Sequence, residues 1–207
     1  MCGIIGIASK DILGDLPWLK GGRDSMIHRG PDDYGEWRST DLHVALAHRR
    51  LAIVDLTNSG HQPMHDTSEI FSIVFNGEIY NFNKLRKQLS SLGSRFKSNS
   101  DTEVILESYK KWGIDCLLYL EGMFAFAIYD FKKEELTMAR DRFGIKPLYY
   151  SLTNNHRGIV YSSEIKTLIE TNVVEKTINL DAISSYLSFR YPYGVGNFFS
   201  KIEKVEP

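Results

Sequence analysis

The sequence predicts an α+β domain in which antiparallel sheets carry helices on their outer faces. Three observations point there. Short apolar segments rich in β-branched residues come in runs instead of alternating one for one with helices, so the pattern is not βαβ. Two helical segments sit together in the middle of the chain, between strand runs. A length of 207 residues suffices for one large domain with a buried core.

Residues 2–8 are apolar and Ile-rich and read as a buried strand starting at the chain's second residue. Residues 43–48 and 51–54 read as a strand pair or one bent strand, and 70–75 as another. Segments 123–129, 136–139, 148–151 and 159–162 follow at short intervals. Phe82, Leu85, Leu89 and Leu92 recur at helical spacing, and Gly93 is a reasonable stop. Ser100-Asp101-Thr102-Glu103 has the pattern of a capping box, with Ser100 capping a helix start and Glu103 bonding back. Val104, Leu106, Tyr109 and Trp112 then populate a helix that ends near Gly113. Shorter helices are predicted over 16–27, 164–169 and 181–187. From about residue 178 the character changes to one short helix and an aromatic, Gly-containing stretch from Phe189 to Phe199, ending at Pro207. This divides the chain into a domain over 2–177 and a connector over 178–207.

A formal net charge of -1 gives no global field to draw the chain onto nucleic acid or an anionic membrane. No apolar run reaches the ~18–20 residues of a membrane helix, and the start lacks the pattern of a signal peptide. Cys2 and Cys116 are the only cysteines, so a cytoplasmic setting is expected and a structural disulfide or zinc site is not. His61 and His65 are four apart, but Pro63 between them argues against a helical metal pair, and no metal is expected.

Position 2 has an unusual chemical option. A cysteine there has an ordinary reading as a small buried residue opening a strand. Removal of Met1, however, would place a thiol and an α-amine on one residue, with ordinary pKa values of about 8.5 and 7.7–8.0. A terminal amine can serve as the base for its own side-chain nucleophile. Asn76-Gly77 after a strand is most often a turn. It is also a way to place an amide and an adjacent N–H where an oxyanion develops, with the Glu78 carboxylate beside them.

Seven segments carry a specific resemblance: residues 1–6, 28–32, 48–55, 76–81, 100–103, 122–127 and 140–150. In their order and content they resemble the glutaminase domain of glutamine-hydrolysing asparagine synthetases, over about residues 2–170. That family belongs to the class II glutamine amidotransferases, which are N-terminal-nucleophile hydrolases. The resemblance implies a four-layer αββα sandwich of two antiparallel sheets. It implies that Cys2 is the nucleophile, its freed amine the base, and Asn76 with the Gly77 N–H the oxyanion hole. Arg50 would clamp the α-carboxylate of L-glutamine, as a planar guanidinium does through paired hydrogen bonds. Asp101 would pair with the α-ammonium, although on residue pattern alone an Asp there is a helix cap. Glu78 and the backbone of Leu51, Ala52, Ile53 and Val54 would line the rest of the pocket.

The other motifs have structural expectations. Residues 28–32 form a rigid loop near the pocket mouth or a purely structural turn. His48, Arg49 and the Arg140–Arg142 cluster are expected to pair with acidic neighbours, and Cys116 to be a packed core thiol. The family continues into a larger synthetase domain that uses ATP and Mg; no cofactor is expected in residues 1–207 and no pyrophosphate-binding loop is found there. The expected partners are that domain and L-glutamine, with a homodimer as one permitted assembly. Three alternatives stay open: a relative amidating another acceptor such as a sugar carboxylate, a regulatory module without hydrolysis, and a hydrolase of another amide. Arg50 with Asp101 argues against the last, because that pair fits a free amino acid.

Overall fold

A computed structural model of the chain describes residues 1–193 and 196–207. Gly194 and Val195, within the aromatic stretch of the connector, lie outside the described residues. The elements in order are β1 (Gly3–Ser9), α1 (Pro17–Ser25), β2 (Asp33–Arg38), β3 (Val44–Arg50), β4 (Met64–His65) and β5 (Phe71–Ile79). Then come α2 (Phe82–Ser91), α3 (Asp101–Trp112), β6 (Gly122–Asp130), β7 (Glu135–Arg140), β8 (Tyr149–Leu152) and β9 (Gly158–Ser162). The chain closes with α4 (Ile165–Glu170), α5 (Leu180–Phe189) and β10 (Glu203–Lys204).

The strands form two antiparallel sheets, one ordered β10-β8-β9-β1-β3-β2 and the other β4-β5-β6-β7. Strand alternation divides their side chains among three apolar layers. Ile73, Phe75, Phe124 and Phe126 turn outward and meet Leu85, Leu89, Ile105 and Leu106 of α2 and α3. Ile5 and Ile7 of β1 turn outward on the other sheet and meet Leu19 of α1 and Leu168 of α4. Ile4, Val44, Leu46, Val74, Ala125, Ala127 and Tyr161 lie between the sheets. Helix, sheet, sheet, helix is therefore the layer order, as the resemblance implied.

Local chemistry explains the departures from sequence expectation. Residues 51–54 are not a strand. The Arg50 guanidinium holds the carbonyls of Thr57 (3.0 Å) and Asp55, which curls the chain back after β3. Asp55 fixes that curl by accepting from Thr57 N and Oγ1 and from Asn99 N. The capping box is half formed: Ser100 caps α3 through Thr102 N, but Glu103 accepts from Lys97 N, Ser98 N and Ser98 Oγ instead of reaching the cap. β2 is an edge strand with mostly half-exposed or exposed positions, so its alternation is too polar to read as a strand in sequence.

The last thirty residues keep contact with the sandwich. β10 extends the larger sheet beside β8, Ile202 is buried, and Ile178 bridges to Phe199. Within α5 only Ala182 is fully buried, while Leu180, Leu187 and Phe189 are exposed.

Candidate active site

β1 and β5 bring the site together from opposite sheets. Cys2 directly precedes β1 and shares the strand face of Ile4, which points between the sheets. Asn76 of β5 shares the face of Val74, which points between the sheets from the other side. Both line a cavity of about 190 Å³ at one end of the sandwich.

Cys2 is half-buried. Its Sγ receives the Leu51 N–H at 3.3 Å and lies 3.7 Å from the Leu51 carbonyl. Residues 28–32 brace it: Arg29 Nε donates to the Cys2 carbonyl at 2.9 Å, and Arg29 also pairs with Glu164 at 3.2 Å. Asp32 accepts from Ala52 N at 2.9 Å and so steadies the loop that holds Leu51.

Asn76 is wholly buried, and neither its amide nitrogen nor its amide oxygen has a hydrogen-bond partner. Buried polar atoms are nearly always satisfied, so an orphaned amide on a cavity wall marks a place where a ligand's polar atom belongs. The next residue adds a second donor. Phe75 N donates to Gln62 Oε1 (2.7 Å) and Ile79 N donates to Asp101 Oδ2 (3.0 Å), both on the side of β5 away from β6. Backbone N–H groups alternate sides along a strand, so the Gly77 N–H points the same way, between those two cavity residues. A side chain at Gly77 would collide with the Met123 carbonyl across the β5–β6 pair.

The two charged ends are built differently. Arg50 is buried in the cavity wall, with two of its five N–H donors committed to loop carbonyls and Asp33 4.0 Å away. Asp101 occupies the first turn of α3 after Ser100 has taken the cap, which frees its carboxylate to face the cavity. Burial pushes the Asp101 carboxyl up to about 6, with Glu78 adding to the effect and the Ile79 N–H opposing it. Burial likewise raises the Cys2 thiol, opposed by the Leu51 N–H, the terminal amine and Arg50. The amine of Met1 is lowered, chiefly by burial and further by Arg29 and Lys146.

The structure therefore gathers Cys2, Arg50, Leu51, Ile53, Val54, Asn76, Gly77, Glu78 and Asp101 around one cavity. Ala52 is the exception among the residues singled out from sequence: it is not on the wall, and its N–H is used by Asp32. Sequence reading missed Gln62, Thr102 and Lys146, which also line the wall. Gln62 bridges Phe75 N and Thr102 Oγ1 (3.2 Å), a link visible only once β5 and α3 are adjacent.

Other expectations need correction. His48 does not meet an acid: its Nε2–H donates to the Phe75 carbonyl at 3.0 Å, and burial pushes its pKa down to about 3, so it is neutral. Arg140 donates to the carbonyls of Lys146, Val205 and Gly144, and Arg142 to that of Leu117. Arg49 does pair with Asp24, at 2.6 Å. Cys116 is a core thiol, raised by burial to about 12.

Two stacked antiparallel sheets lie between helical layers, and the cavity sits where the interior strand β1 begins. The chain belongs to the glutamine amidotransferase domain family, whose model matches residues 1–207. It is 38% identical over 212 residues to asparagine synthetase [glutamine-hydrolyzing] 1 of Bacillus subtilis, covering 100% of this chain and 32% of that protein. It is 37% identical over 214 residues to asparagine synthetase [glutamine-hydrolyzing] 3 of the same organism, covering 100% of this chain and 34% of that protein. The chain thus spans about a third of the length of these relatives. The glutamine phosphoribosylpyrophosphate amidotransferase of B. subtilis superimposes with a TM-score of 0.69 at 23% identity, over 83% of this chain and 44% of that one, a likeness of fold. No helix among the described residues is long and apolar enough to cross a membrane.

Proposed function

We propose that this chain hydrolyses L-glutamine to glutamate and ammonia through a thioester on Cys2 and supplies the ammonia to an ATP-dependent synthetase domain. The observation that carries the reading is the buried, partnerless Asn76 amide on the wall of the Cys2 cavity, beside the inward Gly77 N–H. Two donors so placed fit the oxyanion of a tetrahedral intermediate, where preorganised hydrogen bonds do most for acyl transfer.

Removal of Met1 puts the α-amine on Cys2. Burial raises the Cys2 thiol, so the resting thiol keeps its proton and a base must take it. The amine on the same residue is that base. Thiolate attacks the side-chain amide carbon of glutamine, and the C–N bond breaks as the ammonium-form amine returns a proton to departing ammonia. Water, deprotonated by the same amine, then cleaves the thioester and releases glutamate. Arg50 receives the α-carboxylate and Asp101 the α-ammonium, while Glu78, Leu51, Ile53 and Val54 close the pocket. Each role is filled by a side chain or backbone group of this chain, and no step calls for a metal or cofactor.

ATP and Mg would serve the synthetase domain, and asparagine is the product the similarity to the Bacillus proteins favours. Residues 178–207 would connect to that domain, in keeping with the exposed Leu180, Leu187 and Phe189. Incubation with glutamine should release glutamate and ammonia in equal amounts, and Cys2→Ala should stop both. Unchanged turnover in that variant overturns the reading.

A further inference from the structure

We infer that Gln62 is a positioning residue of this site: its carboxamide takes the place of a neighbouring strand beside β5 and holds the Asn76–Gly77 segment while leaving the Gly77 N–H free. The inference rests on the reading of that segment as the oxyanion hole.

β5 pairs with β6 along its whole length, from Phe71 to Ile79. On its other side β4 pairs, among the described residues, only with Ser72 and Ile73. The β4 register, with Met64 opposite Ile73, would set residue 62 opposite Phe75 and residue 60 opposite Gly77 if the ladder ran on. A strand continued in that way would take up the N–H groups on this side of β5, that of Gly77 among them. Three side chains hold the open edge instead. Gln62 Oε1 accepts from Phe75 N at 2.7 Å, His48 Nε2 donates to the Phe75 carbonyl at 3.0 Å, and Asp101 Oδ2 accepts from Ile79 N at 3.0 Å. They bracket Gly77 and spare its N–H for a ligand.

Gln62 is fixed at both ends. It is 4% exposed and lies in the cavity wall, and its Nε2 donates to Thr102 Oγ1 at 3.2 Å in the first turn of α3, next to Asp101. Its backbone carbonyl lies against Gly35 of β2, where any side chain would collide with it. One carboxamide therefore spans from the strand that carries Asn76 to the helix that carries Asp101 and sets one relative to the other. The Asn76 side chain does not anchor itself, since neither of its amide atoms has a partner. An apolar residue of the same shape at position 62 would leave the Phe75 N–H unpaired, one residue before Asn76.

Gln62→Met keeps the length and removes both hydrogen bonds. Steady-state glutamine hydrolysis should show kcat lowered by about ten- to a hundredfold with KM within about threefold, because displaced oxyanion donors fail the transition state more than the bound substrate. Gln62→Asn, whose carboxamide is one methylene short of Phe75 N, should fall in the same direction and serves if Gln62→Met does not fold, as urea unfolding reveals. Gln62→Glu keeps one oxygen for Phe75 N and offers a second to the Thr102 hydroxyl, and should recover kcat to within about threefold of the parent. In an Asn76→Ala background the loss from Gln62→Met should be smaller than in the parent by about threefold or more, because part of what it positions is gone. Unchanged kcat in a folded Gln62→Met or Gln62→Asn, no recovery in Gln62→Glu, or fully multiplicative losses in the double variant overturn the inference. Persistent turnover in Cys2→Ala would instead overturn the catalytic reading, so the two fail separately.

Discussion

Cys2 is half-buried and Cys116 fully buried, and burial pushes both thiols above the ordinary range, yet their surroundings differ in kind. Cys116 sits in the apolar layer under α3, with Val104, Leu120 and Phe124 in the same cluster and Asp115 repelling a thiolate. Cys2 meets a backbone N–H, a nearby amine and an arginine, all of which favour the thiolate. The comparison teaches that reactivity here is a property of what converges on the thiol, since desolvation alone makes both inert.

The largest expected effect separates them directly. Cys2→Ala should lower glutamine turnover by about four orders of magnitude or more, as loss of a nucleophile does. Cys116→Ala should leave turnover within about twofold and cost about 1 kcal/mol of stability through a small cavity, read by denaturant unfolding. A catalytic defect in Cys116→Ala would break the comparison.

The second effect tests what converges on Cys2. Asn76→Ala removes the orphaned amide and should lower kcat by about 10²–10³ with little change in KM. A third concerns the substrate end. Asp101 has a folded pKa of about 6, so acidification through that value neutralises it and KM for glutamine should rise. Asp101→Asn should raise KM by about 30-fold or more and erase that pH dependence.

How much of this was legible in the sequence depends on the range of the contacts. Cys2, Arg50, Asn76, Gly77 and Asp101 stand in compact motifs, and the helical and strand patterns that carry them were readable from local periodicity. Lys146 and Gln62 were not, because they reach the cavity wall only when β5, α3 and the turn after β7 meet there. Residues 51–54 misled for a different reason: their apolar run satisfies a strand pattern, but the Arg50 side chain claims the backbone carbonyls a few residues on.

The smallest effect sharpens the account of the frame. His48 ties β3 to the Phe75 carbonyl, one residue before Asn76, and is neutral in the fold. Its folded pKa of about 3 lies below the ordinary 6.5, so the unfolded chain takes up the proton first. Stability is therefore lost as pH falls below about 6.5, by about 2 kcal/mol between pH 7 and pH 5. The raised Asp101 carboxyl acts in the opposite direction over the same range, stabilising the fold as it protonates. The stability difference between parent and His48→Gln should accordingly shrink by about 2 kcal/mol over that interval, measured by urea unfolding at each pH.

The central claim, that Cys2 and not burial or exposure of a thiol in general makes this a glutamine site, has a direct measurement. The chain lacking Met1 is treated with a glutamine analogue bearing an electrophilic carbon in place of the amide and then mapped by peptide mass spectrometry. The account predicts one adduct, on Cys2, prevented by excess glutamine, with Cys116 unmodified. An unmodified Cys2 in the folded chain, or labelling that glutamine does not prevent, would contradict it.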